Sequence, residues 1–254
     1  MRPLILITND DGISAPGIQK LIAVVRKLAD VIVVAPSQAM SGKSNAITFE
    51  HNLKAECRCD DEHYTEYVVN GTPTDCVKLA LNVLCKRRPD LLLSGINHGS
   101  NASVNIVYSG TMGAVFEGCV NAIPSIGLSH LSHDENEDMT VFLSYIKKIV
   151  QHFLINPLPY KVCLNVNFPI EKEVKGIKVC RQADAHWIKE YVEHIESDGS
   201  VSYSVSGELQ NNERSSQETD LWALEQGYIS MVPCKVDFTD FDTIKFLNNQ
   251  KLDL

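Results

Sequence analysis

The feature that most constrains the fold is an alternation of short apolar stretches with amphipathic ones along the first two thirds of the chain. Leu4–Thr8 and residues 31–35 and 91–93 are apolar or β-branched throughout, which is typical of strands buried on both faces. Residues 16–28 and 73–85 instead carry apolar side chains at helical spacing, and each segment begins with a proline, a residue favoured in the first helical turn. Alternating strands and helices predict a parallel sheet covered by helices on both faces.

The alternation continues through a predicted helix at 110–121, a strand at 123–128, a helix at 139–154 and a strand at 162–166. We therefore expect one α/β domain over residues 1–254, built on a doubly wound, mostly parallel, Rossmann-like sheet. Residues 46–70 are expected to be irregular, with short β pieces at 47–49 and 67–69.

Beyond residue 176 the pattern changes to the alternation of apolar and polar residues found in half-buried strands. Asp198-Gly199 lies at the centre of this region and predicts a tight hairpin turn. We expect residues 181–217 to form a hairpin extension of the domain and residues 233–254 to form a tail.

Composition narrows the class of partner and the compartment. The net charge of −9 argues against a nucleic-acid polymer as partner, because proteins that coat one present a basic face. No apolar run approaches the roughly 20 residues of a membrane helix, and the N-terminus does not have the pattern of a signal peptide. The eight cysteines include no C-x-x-C pair, so reduced thiols in a cytoplasmic protein are expected.

Two adjacent carboxylates, Asp10 and Asp11, directly follow the first predicted strand. One explanation is a turn, since Asn-Asp-Asp-Gly is good turn material. The other is a hard divalent cation, since neighbouring carboxylates repel each other unless a positive charge lies between them. Ligands of such sheets sit beyond the carboxyl ends of the strands. Asp10, Asp11, Ser41 and Asn97 all follow such ends, and Asn97 would offer a neutral amide oxygen from a Gly/Asn turn at 94–101.

The loop after the second strand contains Gly42-Lys43-Ser44 and invites comparison with a phosphate-binding P-loop. A P-loop needs a glycine where this chain has Ser37, and a helix should follow it, whereas residues 45–49 have the character of a strand. We therefore disfavour a P-loop nucleoside triphosphatase. The hydroxyls, backbone N–H groups and lysine of this loop remain suitable for contacting an anion.

Ser109, Gly110 and Thr111 open the predicted helix at 110–121. A helix N-terminus presents free N–H groups and the positive end of the helix dipole, so this segment is a candidate anion site. The alternative is ordinary capping of the helix by Ser109. An acidic pair, a hydroxyl loop, an asparagine and a helix start on one rim together predict a cation site beside a phosphate site.

Six segments, in this order, resemble the SurE survival-protein family: ITNDDGISAPGI, VVAPSQAMSGKSNAIT, VNGTPTDCVKLAL, PDLLLSGINHGSN, YSGTMGAVFEG and EQGYISMVPCKVDFT. The resemblance covers almost the whole chain. It implies a divalent-metal-dependent phosphatase of nucleoside monophosphates, with Asp10, Asp11, Ser41 and Asn97 as ligands of one Mg²⁺ or Mn²⁺ per subunit. Residues 102–105 depart from the Gly-Asp or Asp-rich stretch of many relatives, and residues 181–217 match loosely.

The expected reaction is hydrolysis of a nucleoside 5′- or 3′-monophosphate, with Asp10 and Asp11 as the catalytic carboxylates. The residues expected to hold the phosphate and the substrate are Asn9, Gly42, Ser44, Asn45, Ser109, Gly110 and Thr111. A nucleotide-binding sensor without turnover and a short-chain exopolyphosphatase are the alternative functions. By resemblance, a homodimer or homotetramer is expected, with the hairpin extension and the tail as candidates for contacts between subunits.

Overall fold

The computed structural model describes residues 2–134, 137–170 and 173–250. Its strands are β1 Leu4–Thr8, β2 Asp30–Pro36, β3 Ala55–Asp61, β4 Tyr64–Val69, β5 Leu91–His98, β6 Ser125–His130, β7 Val162–Phe168, β8 Ile177–Val179, β9 Ala185–Ile188, β10 Tyr191–Ile195, β11 Val201–Val205, β12 Glu208–Asn211 and β13 Ile229–Lys235. Its α-helices are α1 Pro16–Val25, α2 Pro73–Leu79, α3 Gly110–Val120, α4 Thr140–Ile155, α5 Asp220–Glu225 and α6 Phe241–Asn249.

Nine strands form one sheet in the order β3-β4-β2-β1-β5-β6-β7-β13-β8. The six strands from β4 to β7 in that order run parallel, while β3 and β13 are antiparallel to their neighbours β4 and β7. The predicted doubly wound, mostly parallel, Rossmann-like fold is therefore confirmed. Of the helices in the described part of the chain, none combines the length and apolar character that a membrane span requires.

Alternate residues of β1 enter separate cores on the two faces of the sheet. Ile5 and Ile7 pack with residues of α1 and α4, whereas Leu6 packs with residues of α2 and α3. All three side chains are fully buried, and burying a side chain of this size stabilises a fold by about 1.5–3 kcal/mol. Because both faces of β1 are covered, the strand is held firmly, and the residues that follow Thr8 have a fixed position at the carboxyl edge of the sheet.

The segment 46–70 differs from its prediction in two ways. Ala55–Asp61 forms an edge strand whose side chains are mostly exposed, so it lacks the apolar run by which a buried strand is predicted. Residues 47–49 form no strand. Thr48 is instead bound to the start of α2, because its N–H and its hydroxyl donate to the two carboxylate oxygens of Asp75 at 3.1 and 2.6 Å.

Strand β5 is longer than predicted and contains most of the segment expected to be a turn. It pairs with β6 as far as His98 and His130, with a shift of register between Gly95 and Asn97. Asn97 therefore lies within the strand, and the prediction that it follows the strand end is wrong. The helix predicted to end at residue 85 ends as α2 at Leu79 and continues as a π-helical turn, Ala80–Leu84.

The C-terminal region forms the predicted hairpin extension. Strands β9 to β12 form two consecutive two-stranded antiparallel sheets, β9 with β12 and then β10 with β11 around the turn at Asp198-Gly199, and together we call them the ribbon. The register stays constant from the Ala185–Asn211 pair out to the Ile195–Val201 pair. The outer half of the ribbon is exposed, as is α6 in the tail. Residues 251–254 of the predicted tail lie outside the described part of the chain.

Candidate active site

The Asn-Asp-Asp-Gly segment after β1 does form a turn. The buried Asn9 side chain donates from Nδ2 to the Gly12 carbonyl at 2.8 Å. Gly12 has a φ of +94°, and a Cβ placed on it would lie 3.2 Å from the Gln38 carbonyl carbon. Ile13 N–H donates to the Pro36 carbonyl at 2.9 Å, which joins the turn to the end of β2. Asn9 and Gly12 thus provide the turn chemistry, and the two carboxylates are not needed for it.

Asp10 is pressed against the start of α3. Its carboxylate accepts a hydrogen bond of 2.5 Å from the Thr111 hydroxyl, and only 4% of the residue is exposed. A Cβ placed on Gly110 would lie 2.9 Å from Asp10 Cβ, so a side chain at position 110 would push the carboxylate away. The Asp10 carbonyl also accepts from the Met40 N–H at 2.7 Å. These contacts bring β1, the loop after β2 and α3 together around one carboxylate.

The surroundings of Asp10 are short of compensating charge. Burial raises its pKa to about 6, and the nearby charge of Asp11 adds to this rise, while the Thr111 hydrogen bond opposes it. No lysine, arginine or histidine among the described residues forms an ion pair with Asp10. Three buried oxygens near the end of β1 also lack a hydrogen-bond partner among these residues: Thr8 Oγ1, Asn9 Oδ1 and Ser94 Oγ. A bound cation would compensate the charge of Asp10, and its water ligands would donate hydrogen bonds to these oxygens.

The loop after β2 lies against the first turns of α3. Ser44 N–H donates to the Tyr108 carbonyl at 3.2 Å, and the Ser44 hydroxyl donates to the Val107 carbonyl at 2.7 Å. A Cβ placed on Gly113 would lie 2.2 Å from the Ser44 carbonyl oxygen and 3.0 Å from Asn45 Oδ1. Two of the predicted phosphate-binding residues, Ser44 and Asn45, are therefore placed at the helix start.

Ser109 is the N-cap of α3, and its hydroxyl oxygen accepts from the Met112 N–H at 3.1 Å. The capping explanation is thus correct for Ser109. It does not account for Thr111, whose hydroxyl donates to the Asp10 carboxylate just beyond the end of β1. The first turn of α3 therefore combines an ordinary cap with a contact to the acidic pair.

Asn97 and Ser41 lie on the same rim without a hydrogen bond to Asp10. Strands β1 and β5 are neighbours and pair as far as Thr8 and Ser94, so Asp10 lies just beyond the end of β1 and Asn97 lies further along β5 beside it. Asn97 Nδ2 donates to the Gly99 carbonyl at 2.8 Å, which leaves its amide oxygen as a possible ligand. Ser41 is exposed on its loop, next to Gly42.

The predicted ligands form an oxygen-only set, which suits Mg²⁺ or Mn²⁺. No group of three or more His, Cys, Asp or Glu residues with metal-binding geometry occurs in residues 2–134, 137–170 or 173–250. The predicted set contains only two residues of these types, Asp10 and Asp11. Together with the buried, weakly compensated carboxylate, the donor chemistry fits a hard divalent cation.

Sequence reasoning missed a buried polar network beside the site. Asn101 N–H donates to Asn167 Oδ1 at 2.9 Å, Asn101 Nδ2 donates to Ser129 Oγ at 2.8 Å, and Asn165 Nδ2 donates to the Asn101 carbonyl at 2.7 Å. This network fixes the chain between β5 and α3. The signal was present in the sequence, because Asn165 and Asn167 interrupt an otherwise apolar strand on one face.

Known proteins share this sequence and fold. The family model described as "Survival protein SurE" matches residues 5–189. The chain belongs to the SurE family. Two relatives, both named 5′-nucleotidase SurE, come from Flavobacterium psychrophilum (48% identical) and Phocaeicola vulgatus (43% identical). The first alignment covers 99% of this chain and 98% of the relative, and the second covers 100% and 98%.

The crystal structure of the SurE protein from Aquifex aeolicus has the same fold, with a TM-score of 0.81 and 36% sequence identity. The match covers 97% of this chain and 100% of that one. The resemblance to the SurE family drawn from the six sequence segments is therefore confirmed.

Proposed function

We propose that this chain is a metal-dependent nucleotidase that hydrolyses nucleoside 5′-monophosphates, and also 3′-monophosphates, to a nucleoside and phosphate. The observation that carries the proposal is the contact of Asp10 with Gly110 and Thr111. It places a buried carboxylate, suited to a cation, directly beside a helix N-terminus, suited to an anion. A phosphate monoester bound through a divalent cation needs both kinds of group side by side.

Asp10, Asp11, Ser41 and Asn97 would hold one Mg²⁺ or Mn²⁺ in each subunit. When bound, such an ion polarises a phosphoryl oxygen and lowers the pKa of water. The buried position of Asp10 fixes its carboxylate, since both its side-chain hydrogen bond and its packing against Gly110 restrict rotation. We propose water rather than a carboxylate as the nucleophile, because adjacent aspartates differ from the spaced D-x-D of aspartyl-phosphate enzymes.

The phosphate would lie between the start of α3 and the loop after β2. The N–H group of Gly110 would donate to a phosphate oxygen, and the Gly42–Asn45 segment would close over the phosphate from the other side. The buried Oδ1 of Asn9 beside Asp10 is an acceptor, so it would accept a hydrogen bond from water or from a substrate hydroxyl. These groups hold the transferred phosphoryl in one orientation, which favours in-line attack.

The test is a phosphate-release assay with AMP, GMP, a 3′-monophosphate and short-chain polyphosphate, each with Mg²⁺, Mn²⁺ or a chelator. We expect release from the monophosphates with metal and little with chelator. Binding of nucleotide without release would instead establish a sensor. Preferred hydrolysis of polyphosphate would establish an exopolyphosphatase.

We also propose that subunits associate through the ribbon and the tail, as a homodimer or homotetramer. Large apolar side chains are exposed on both segments, among them Ile195, Tyr203 and Val205 on the ribbon and Phe238 and Phe241 in the tail. Several large apolar side chains exposed on one segment are typical of protein–protein contacts. Sedimentation of the full chain, compared with a variant in which Ile195 and Val205 are replaced by serine, tests this association.

A cytoplasmic location is proposed because all eight cysteines are free thiols.

A further inference from the structure

One hydrogen bond joins the base of the ribbon to the turn that precedes α3. Trp187 Nε1 on β9 donates to Asn105 Oδ1 at 2.8 Å. The indole ring also packs against Gly207, where an added Cβ would lie 3.0 Å from Trp187 Cε3. Asn105 belongs to the 3₁₀ turn Ser103–Val107, which leads directly into the candidate phosphate site. The ribbon therefore touches the active-site segment through a specific polar contact.

Asn105 determines the path of the chain into α3. Its Nδ2 donates to the Ser100 carbonyl at 3.1 Å, and its own carbonyl accepts from the Tyr108 N–H at 3.1 Å. The Tyr108 carbonyl in turn accepts from Ser44 N–H, and Ser109 caps the helix. A shift of Asn105 would thus be transmitted within four residues to the groups that contact the phosphate.

A buried carboxylate binds the beginning of the same turn to the segment that leads into the ribbon. Asp220 accepts from Ser103 N–H at 2.7 Å and from Ala183 N–H at 2.9 Å, and the Ser103 hydroxyl donates to the Ala183 carbonyl at 2.9 Å. All three residues are at least 97% buried. Asp220 fixes the start of the turn, the Trp187–Asn105 bond holds its middle, and Ser44 binds the Val107 carbonyl at its end.

We propose that Trp187 and Asn105 are positioning residues for phosphoryl transfer. Their hydrogen bond holds the Ser103–Val107 turn so that Ser109, Gly110 and Thr111 present their donors in the reactive orientation. This proposal rests on the proposed nucleotidase function. Because positioning acts on the orientation of bound substrate, its loss lowers kcat more than it raises KM.

Trp187→Phe removes the indole N–H and keeps an aromatic ring against Gly207. The matched control is Trp222→Phe, which makes the same change at the other tryptophan, where the ring stacks on Tyr228. With AMP and Mn²⁺, Trp187→Phe should lower kcat about three- to tenfold with KM nearly unchanged, the loss that one neutral hydrogen bond produces. Trp222→Phe should match the wild type. Equal kcat in the two variants would overturn the proposal.

A second variant keeps the result independent of packing changes at position 187. Asn105→Ala removes the acceptor, and combining it with Trp187→Phe closes a double-mutant cycle. If both act through one hydrogen bond, the double variant should be no slower than Asn105→Ala alone. Effects on kcat that multiply would show that the two residues act separately, which contradicts the proposal.

A fluorescence experiment separates this proposal from the proposed function. In Trp222→Phe protein, Trp187 is the only tryptophan, so its emission reports on the turn. Addition of inorganic phosphate with Mn²⁺ should change that emission, and adding Asn105→Ala should abolish the change. Unchanged emission at saturating phosphate would refute the coupling even if the wild type is active. A changed emission in a protein without turnover would refute the nucleotidase function alone.

Discussion

At the amino end of the central sheet, Asp30 lies beside two arginines and a histidine, whereas at the carboxyl end the Asp10 carboxylate accepts a hydrogen bond from a hydroxyl group. Arg87 Nη2 lies 3.3 Å from one Asp30 oxygen, and Arg2 Nε and His63 Nδ1 lie 3.6 and 2.9 Å from the other. Asp10 is more deeply buried than Asp30, and Thr111 is its only side-chain hydrogen-bond partner in the described chain.

The two ends show how structural and functional charges differ. The carboxylate of Asp30 is neutralised by side chains of the same fold, so it contributes to stability and needs nothing from solution. Asp10 is desolvated without such compensation, which costs free energy in the metal-free protein and is relieved by a cation.

The largest effect is expected for Asp10→Asn. The change keeps the shape of the side chain but removes a charged ligand, so kcat/KM should fall by roughly three or more orders of magnitude. The metal-free variant should be at least as stable as the wild type. Mn²⁺ should raise the melting temperature of the wild type clearly and that of the variant little, since only ligand bound to the folded state stabilises it.

The matched control for Asp10→Asn is Asp30→Asn at the other end of the sheet. This variant should keep its activity and its response to Mn²⁺, and it should lose about 1 kcal/mol of stability through weakened surface ion pairs. An Asp10→Asn protein that melts several degrees lower in chelator and remains active would show that the acidic pair only shapes the turn.

The stability of the metal-free protein should depend on pH through Asp10. Its pKa of about 6 in the folded chain lies above the unfolded value, so the folded state binds more protons between about pH 4 and pH 6. Stability should therefore fall as pH rises through this window, by up to about 3 kcal/mol. Urea titrations in chelator measure the slope, and Asp10→Asn should flatten it. If stability depends on pH equally in the wild type and in Asp10→Asn, groups other than Asp10 cause the dependence.

Thr111→Val tests the contact between the two halves of the site. The substitution keeps the shape of the side chain and removes the donor to Asp10. A hydrogen bond to a charged group contributes about 1.5–3 kcal/mol, so kcat/KM should fall about tenfold to a hundredfold. Steady-state kinetics with AMP measure the loss. If Thr111→Val has the same kinetics as the wild type, the Ser109–Thr111 segment serves only to cap the helix.

The smallest effect is expected for Lys43→Ala in the exposed loop after β2. A lysine at the edge of a phosphate site contributes a screened charge, so activity toward AMP should fall only about two- to fivefold. The loss should shrink at high ionic strength. Loss of ATP hydrolysis with AMP hydrolysis intact would revive the P-loop interpretation.

The parts of the fold that the sequence predicted well are those in which local chemistry and long-range packing agree. The bounds of β1 match the prediction because four of its five residues are buried, on both faces of the sheet, and α1 begins at Pro16 as its sequence indicates. Strand β3 was missed because an exposed edge strand needs no apolar run. The extension of β5 through Asn97 depends on pairing with β6, which no local pattern records.

The candidate site divides in the same way. Asp10, Gly110 and Thr111 were chosen because their residue types suit ions and helix starts, and the structure places them in contact. The Trp187–Asn105 bond joins residues 82 positions apart, and nothing in either local sequence predicts it. Their meeting depends on where the ribbon leaves the domain, which is a property of the whole fold.

The constant register of the ribbon has a consequence for how such a chain can change in length. One residue added to each strand beyond Tyr191 and Val205 would move the tip outward by about 3.4 Å and leave the Trp187–Leu209 pair in place. A residue added to one strand between these pairs would break the register and turn a side chain to the opposite face. The reach of the tip can therefore be altered in matched steps without changing the chemistry at its base.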